Sequence, residues 1–362
     1  MASVPRWLRK ILLCSMLALT PGAPVWACAI CAPSAAEQTL TQRLYRAEAV
    51  AIARVLPKAG EFERLVTIRG GADTAARLNA VGAQLPDSGT VLLAYSGGTW
   101  NALGAMPVER APWLDRLIAL RRPADANPTA ADANWPARFA YFLPDLENPV
   151  PLVAQAAYDE LASAPYGAMR AASSAFNARA LEKWLERGEL EARHPLYALM
   201  LGFVAQELQV QALQQRLLNT SARSSMPTVS ALLAAVIEAR GPAGMAWVQA
   251  HYLENAQRSD AEVQAALLAV RVHAGASGRL SRDQAIAVAR SYIAANPQRA
   301  GFVASDLGDW GAWDLVAEFE RLMDTEQPQV FASRYAMVLY LLRSPRPEAR
   351  AALERLRARG RL

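Results

Sequence analysis

Apolar residues between positions 139 and 164 recur at spacings of three and four. On that spacing Phe139, Phe142, Leu143 and Leu146 share one face of a helix. Asn148-Pro149 is expected to stop it, because proline disfavours helical angles in the residue before it. Leu152, Val153, Ala156, Ala157 and Leu161 then form a second stripe. Two short helices cannot bury both stripes on each other, so neighbours of the same kind are required. The rest of the chain offers them. Helical patterns cover 179–187, 196–218, 228–240, 243–255, 260–273, 282–295, 299–307, 313–323, 331–342 and 348–359. Ser281 is placed to cap the helix that starts at 282. Leu143, Leu161 and Leu339 are expected to be buried between helices.

Before residue 110 the period changes to two. Residues 49–56, AVAIARVL, alternate and end at Pro57, which reads as a strand. Further strands are expected at 62–68, 90–95 and 100–108, while 72–86 fits no pattern. Short helices are expected at 37–47 and 113–121. Together they predict a small β-barrel or curled sheet over 45–110. The segment 121–136, RRPADANPTAADANWP, is polar and carries three prolines, which marks a linker. The expected layout is a leader at 1–27, a β-rich domain at 28–120, a linker at 121–136 and a helical domain at 137–362. The fold class is mainly α: an α/α solenoid preceded by a small β-barrel.

Composition adds a compartment. Arg6, Arg9 and Lys10 precede the apolar run Ile11 to Leu19, then Thr20-Pro21-Gly22, and Val25-Trp26-Ala27 suits cleavage. That is the pattern of a secretory signal peptide. The run is too short for a membrane span, which needs about 20 residues. The protein is therefore expected to be exported, to the periplasm or outside the cell. Removing three basic residues from a formal charge of +5 leaves +2. Neither that charge nor the compartment suits nucleic acid. The basic tract RLRARGRL at the end reads as a helix terminus that favours cations.

Candidate chemistry is sparse. Cys14 lies in the leader, leaving Cys28 and Cys31. Outside the cytoplasm this pair is expected to oxidise to a disulfide. A lipid on Cys28, thiol exchange and metal binding are the alternatives. A thioredoxin-type site needs a strand before the first cysteine, and haem attachment needs a histidine where Ala32 stands. His194, His251 and His273 are isolated. Tyr158, Asp159 and Tyr166 make an interaction-surface candidate, with helix packing as the competing explanation. Trp310 and Trp313, three apart, pose the same choice. No GxSxG, HExxH or phosphate loop occurs. No catalytic set, cofactor or metal is expected.

Several stretches carry a resemblance. The Asn-Pro-turn pair resembles HEAT-type repeats, whose first helix often ends in an Asp-Pro turn. The chain also resembles a family of exported bacterial proteins with no assigned activity. The matching stretches are the CxxC after the leader, RAEAVAIARV, FLPDLENPVPLVAQAAYDELASAPYGAM, LYALMLG, GMAWVQAHYL, DLGDWGAWDLVAEFERL and SRYAMVLYLLRSPRPEARAAL. This resemblance implies the order leader, CxxC, β-part and HEAT-like helical repeats. The chain departs from it in lacking an aromatic inside the CxxC and a Gly-rich segment after LYALMLG. A start at cysteine followed by a helix and AEAVAIARV is similar to the netrin-like inhibitors of metalloproteinases, which implies an OB-like barrel. The function expected from all this is a non-enzymatic scaffold in the cell envelope that binds a protein or peptide. The alternative is a thiol redox or metal-handling protein using Cys28 and Cys31.

Overall fold

A computed structural model describes Ile30 and residues 39–70, 76–82, 88–120, 134–219, 225–275, 277–325 and 330–362. The expected leader, Cys28, Cys31 and most of the expected linker lie outside the described residues. The chain is mainly helical, with a closed five-stranded barrel near its start. No helix among the described residues is long and apolar enough to cross a membrane.

Helix α1 (Leu40–Arg46) opens the described chain, with Thr39 and Gln42 forming a reciprocal cap. The barrel follows as β1 (Ala49–Val55), β2 (Glu61–Arg69), β3 (Arg77–Val81), β4 (Thr90–Ser96) and β5 (Thr99–Ala105). Its strand order is β1-β2-β3-β5-β4. Strand β1 pairs antiparallel with both β2 and β4. Closure comes from a parallel contact of β3 with β5, through Ala80 opposite Trp100. The segment 72–86, which fitted no pattern, supplies β3. Gly97 and Gly98, both at positive φ, make the two-residue turn that joins β4 to β5.

Strands β1 and β4 are buried on both faces, whereas β3 buries only Leu78 and Ala80. Ala51, Ala53, Phe62, Leu78, Val91, Leu93 and Trp100 fill the interior. Val50, Ile52, Leu92 and Ala94 point the other way, into a core shared with the helices. Helix α2 (Ala111–Ala119) adds Trp113, Leu114 and Leu117 to that core. One hydrophobic core thus runs from the outer wall of the barrel into the helical region.

That region contains α3 (Trp135–Phe142), α4 (Pro151–Ala162), α5 (Tyr166–Ala171), α6 (Ala178–Leu185), α7 (His194–Val204), α8 (Glu207–Asn219) and α9 (Met226–Arg240). It continues with α10 (Pro242–Val248), α11 (Asp260–His273), α12 (Arg282–Ala295), α13 (Ala304–Asp309), α14 (Val316–Asp324), α15 (Phe331–Arg343) and α16 (Pro347–Ala358). Capping boxes fix the starts of α11 and α12, at Ser259 with Glu262 and Ser281 with Gln284.

Three expectations change. Helix α3 ends at Phe142, before Asn148-Pro149. Pro144 has no N–H to extend the ladder, and Asn148 instead holds the turn by accepting from Val150 N–H at 2.9 Å. The single helix expected at 196–218 is two. Ala205 is extended (φ −64°, ψ 132°), and Gln209 Oε1 accepts from Gln206 N–H at 2.7 Å. The break separates α7, buried at nine of eleven residues, from α8, buried at four of thirteen. Leu161 is buried and Leu143 half-buried, but Leu339 is exposed. Helix α15 is apolar all round, so spacing alone could not choose its inner face.

The centre is α9. Every residue from Thr228 to Glu238 is buried, against α7, α8, α10 and α11. Gly202 lets α7 approach: a Cβ there would lie 2.6 Å from the Ala235 Cα. Gly202→Ala should therefore destabilise the protein by about 1–3 kcal/mol through overpacking. Gly188→Ala, with nothing within 4 Å, should stay within about 0.5 kcal/mol. Urea denaturation of both variants checks this. Equal stabilities would mean that α7 and α9 are not in close contact.

Candidate functional site

Of the residues singled out from sequence, Cys28 and Cys31 lie outside the described residues. Ile30, between them, is buried and lines a cavity with Met226, Pro227, Gln264, Leu268 and Phe302. The Tyr158 hydroxyl donates to the Ala192 carbonyl at 3.2 Å, and its ring lies under Arg193. Asp159 is half-exposed and accepts from Gln155 at 2.7 Å. Tyr166 is buried, and its hydroxyl donates to Glu238 at 2.6 Å. Trp310 and Trp313 are half-buried. The Trp313 ring sits 5.0 Å from that of Tyr340, which also meets Phe319 edge-on. The two tyrosines thus bond inward from α4 and α5, and Trp313 packs in the α14–α15 layer.

Tyr166 leads to the most charged interior node. Glu238 comes from the last turn of α9 and is buried. Besides Tyr166 it accepts from Arg170 at 2.5 Å and from Arg279 Nε at 3.0 Å. Arg279 Nε also reaches the Glu238 carbonyl at 3.2 Å. His273, fully buried at the end of α11, donates from Nε2 to the Ala234 carbonyl at 2.8 Å. Its Nδ1 lies 3.8 Å from Glu238. Burial pushes the His273 pKa down to about 4, against the pull of the Glu238 carboxylate. Donors from α5 and from the α11–α12 connection converge on this one carboxylate, so the node ties those segments to α9. Among the described residues no group of three or more His, Cys, Asp or Glu could hold a metal ion.

Other buried carboxylates repeat the arrangement. Glu160 on α4 accepts from Arg138 Nε on α3 at 2.7 Å, and Arg138 Nη1 also donates to the Leu120 carbonyl beyond α2 at 3.2 Å. Asp306 takes a two-pronged contact from Arg271 at 2.5 and 2.9 Å. Burial nevertheless raises the Asp306 pKa.

The surface offers a different feature. On α15, Met337, Tyr340 and Leu341 face inward. Phe331, Tyr335, Leu339 and Leu342 face out and are 84%, 58%, 40% and 57% exposed. They recur at helical spacing, so they form one ridge about three turns long. Beside it Phe331, Tyr335, Val338, Leu342 and Leu353 line a groove of about 610 Å³ between α15 and α16. Arg334, Arg357 and Arg361 line it as well. Residues 331–362 hold eight arginines and two glutamates, a formal +6, against +5 for the whole chain. Contiguous exposed apolar patches of this kind are uncommon on soluble monomers. The sequence signal was the all-round apolar run FASRYAMVLYLLR followed by the arginine-rich end.

The interior node makes a prediction about acid. His273 has a folded pKa of about 4 against an ordinary 6.5. Between these values the unfolded chain binds a proton that the folded chain refuses. Its contribution is complete above pH 6.5 and is lost as pH falls towards 4. The slope reaches about 1.4 kcal/mol per pH unit at most. Urea denaturation from pH 4 to 7 should show a shallower slope for His273→Gln than for the parent. Parallel slopes would mean that His273 titrates normally. Compared with known proteins, the chain matches no family model, no curated protein and no solved structure.

Proposed function

We propose that this protein is a non-catalytic binding scaffold of the bacterial cell envelope. Export rests on the leader pattern at residues 1–27. The architecture we assign is an OB-like barrel followed by a solenoid of helix pairs. The strand order β1-β2-β3-β5-β4, with β3 parallel to β5, supports the first part. A recurring contact distance along the chain supports the second. Tyr158 meets Ala192, Tyr252 meets Leu217, Ser230 meets Ala265, Arg343 meets Asp309 and Arg355 meets Glu320, all 34 or 35 residues apart. Such a spacing is what stacked helix pairs produce.

The observation that carries the binding role is the exposed apolar ridge on α15. A helix otherwise packed into the array leaves four large apolar side chains in water. The thiol alternative rests on Cys28 and Cys31 alone, and both lie outside the described residues.

Site-specific photo-crosslinking tests the role in cells. A benzophenone amino acid at Tyr335 should give a discrete protein adduct. The same probe at Arg282, exposed on α12, should not. The Tyr335 adduct should fade when Phe331 and Leu342 are both changed to Ser. An absent adduct, or the same adduct from both positions, would contradict the reading.

A further inference from the structure

We propose that the groove between α15 and α16 receives an acidic amphipathic helix from a partner protein. This deepens the scaffold reading and rests on it. Three observations on the page select the occupant.

The first is shape. The ridge formed by Phe331, Tyr335 and Leu342 borders a concave groove with Val338 and the buried Leu353 among its lining. Ridges of one helix pack into grooves of another. A partner helix with apolar residues at every third or fourth position would cover α15 as α11 covers α9.

The second is charge. The carboxylates that neutralise this end come from earlier helices: Asp309 pairs with Arg343, Glu320 with Arg355 and Asp324 with Arg359. The groove arginines are left less well matched. Arg334 donates to two main-chain carbonyls, of Met323 and Arg361, which carry no net charge. Arg361 stands 3.8 Å from Asp324, which Arg359 already engages. Among the described residues no carboxylate lies within ion-pairing distance of Arg357. Aspartate or glutamate flanking the apolar row of a partner would meet these guanidinium groups, which bind carboxylates in paired hydrogen bonds.

The third is self-exclusion. A second copy of the chain would bring the same arginine rim against this one. Like charges facing across an interface oppose association. The second copy is thereby disfavoured and an acidic partner favoured.

Fluorescence anisotropy on the purified full chain tests this. The probe is a labelled, lactam-stapled helical peptide of about 14 residues, long enough to span the three-turn ridge. It carries Leu at every third or fourth position and Glu on both flanks; the control has Lys for Glu. The Glu peptide should bind saturably and about tenfold more tightly than the Lys peptide. Raising salt from about 50 to 200 mM should weaken it. Tyr335→Ser and Arg357→Glu should each cost about tenfold in affinity. Arg350→Glu, on an exposed position of α16 outside the groove, should leave binding unchanged. All three positions are exposed or on the groove, and matching melting curves will show that the variants fold. Equal binding of both peptides overturns the proposal, as does equal weakening by Arg350→Glu and Arg357→Glu. So does binding to phosphatidylglycerol vesicles with none to the peptide, which would mark a membrane surface. Self-association in sedimentation that excludes the peptide would mark a second copy. If these tests fail while Tyr335 still crosslinks to a protein in cells, the scaffold reading stands and only the partner's chemistry is wrong.

Discussion

Glu238 lies on a helix whose last eleven residues up to it are covered by protein, so its charge meets no water and must be met from within. A lone carboxylate in such a place would cost several kcal/mol. Tyr166 and Arg170 come to it from α5, and Arg279 comes from the connection between α11 and α12. Three side chains from two separate parts of the chain are therefore tied to one side chain of α9. Stranding a buried charge costs about 3–5 kcal/mol; Glu238 avoids this through three donors, so it keeps two if any one is lost. The close approach of α7 at Gly202 and the bond from His273 to the Ala234 carbonyl depend on α9 holding that position.

Outward from this helix the same device recurs with weaker members. Arg271 clamps Asp306 across α11 and α13, Arg343 reaches Asp309, and Arg355 grips Glu320 with two bonds of 2.7 Å. Partly exposed pairs contribute little each to stability. Their value lies in direction: each joins elements 34 or 35 residues apart in the chain, and so fixes how those elements sit on one another. At α15 and α16 the sequence continues to supply arginine while acidic residues thin out. The apolar face beside them is left uncovered for the same reason that it is chemically distinctive. What serves as internal stitching earlier in the chain becomes an open surface here.

Much of the fold was legible because local signals agreed. Helices α11 and α12 fall where the pattern put them, since a capping serine and its partner three residues on mark each start. Strand β3 was not legible. Its RLNAV hides only Leu78 and Ala80, and its place is settled by a parallel pairing with a strand some twenty residues away. The break after α7 was missed because both halves continue the same apolar spacing, and only tertiary burial distinguishes them. The surface was harder still. Tyr158 and Tyr166 look like interface residues in sequence, yet their hydroxyls find partners inside. Leu339 looks like core, yet α15 has more apolar residues than neighbours to cover them. Composition can flag such a helix, but which side remains bare is set by how the other helices pack on it.

On the proposed reading, the outer face of α15 is open in the isolated chain and covered by a partner in the cell. Hydroxyl-radical footprinting of Phe331, Tyr335 and Leu342 reads this directly, with Leu208 on α8, 80% exposed, as the reference. All four should be strongly oxidised in the dilute purified protein. In intact cells Phe331, Tyr335 and Leu342 should be protected while Leu208 is not. Equal oxidation of the three in cells and in solution would contradict it, as would protection already present in the dilute protein.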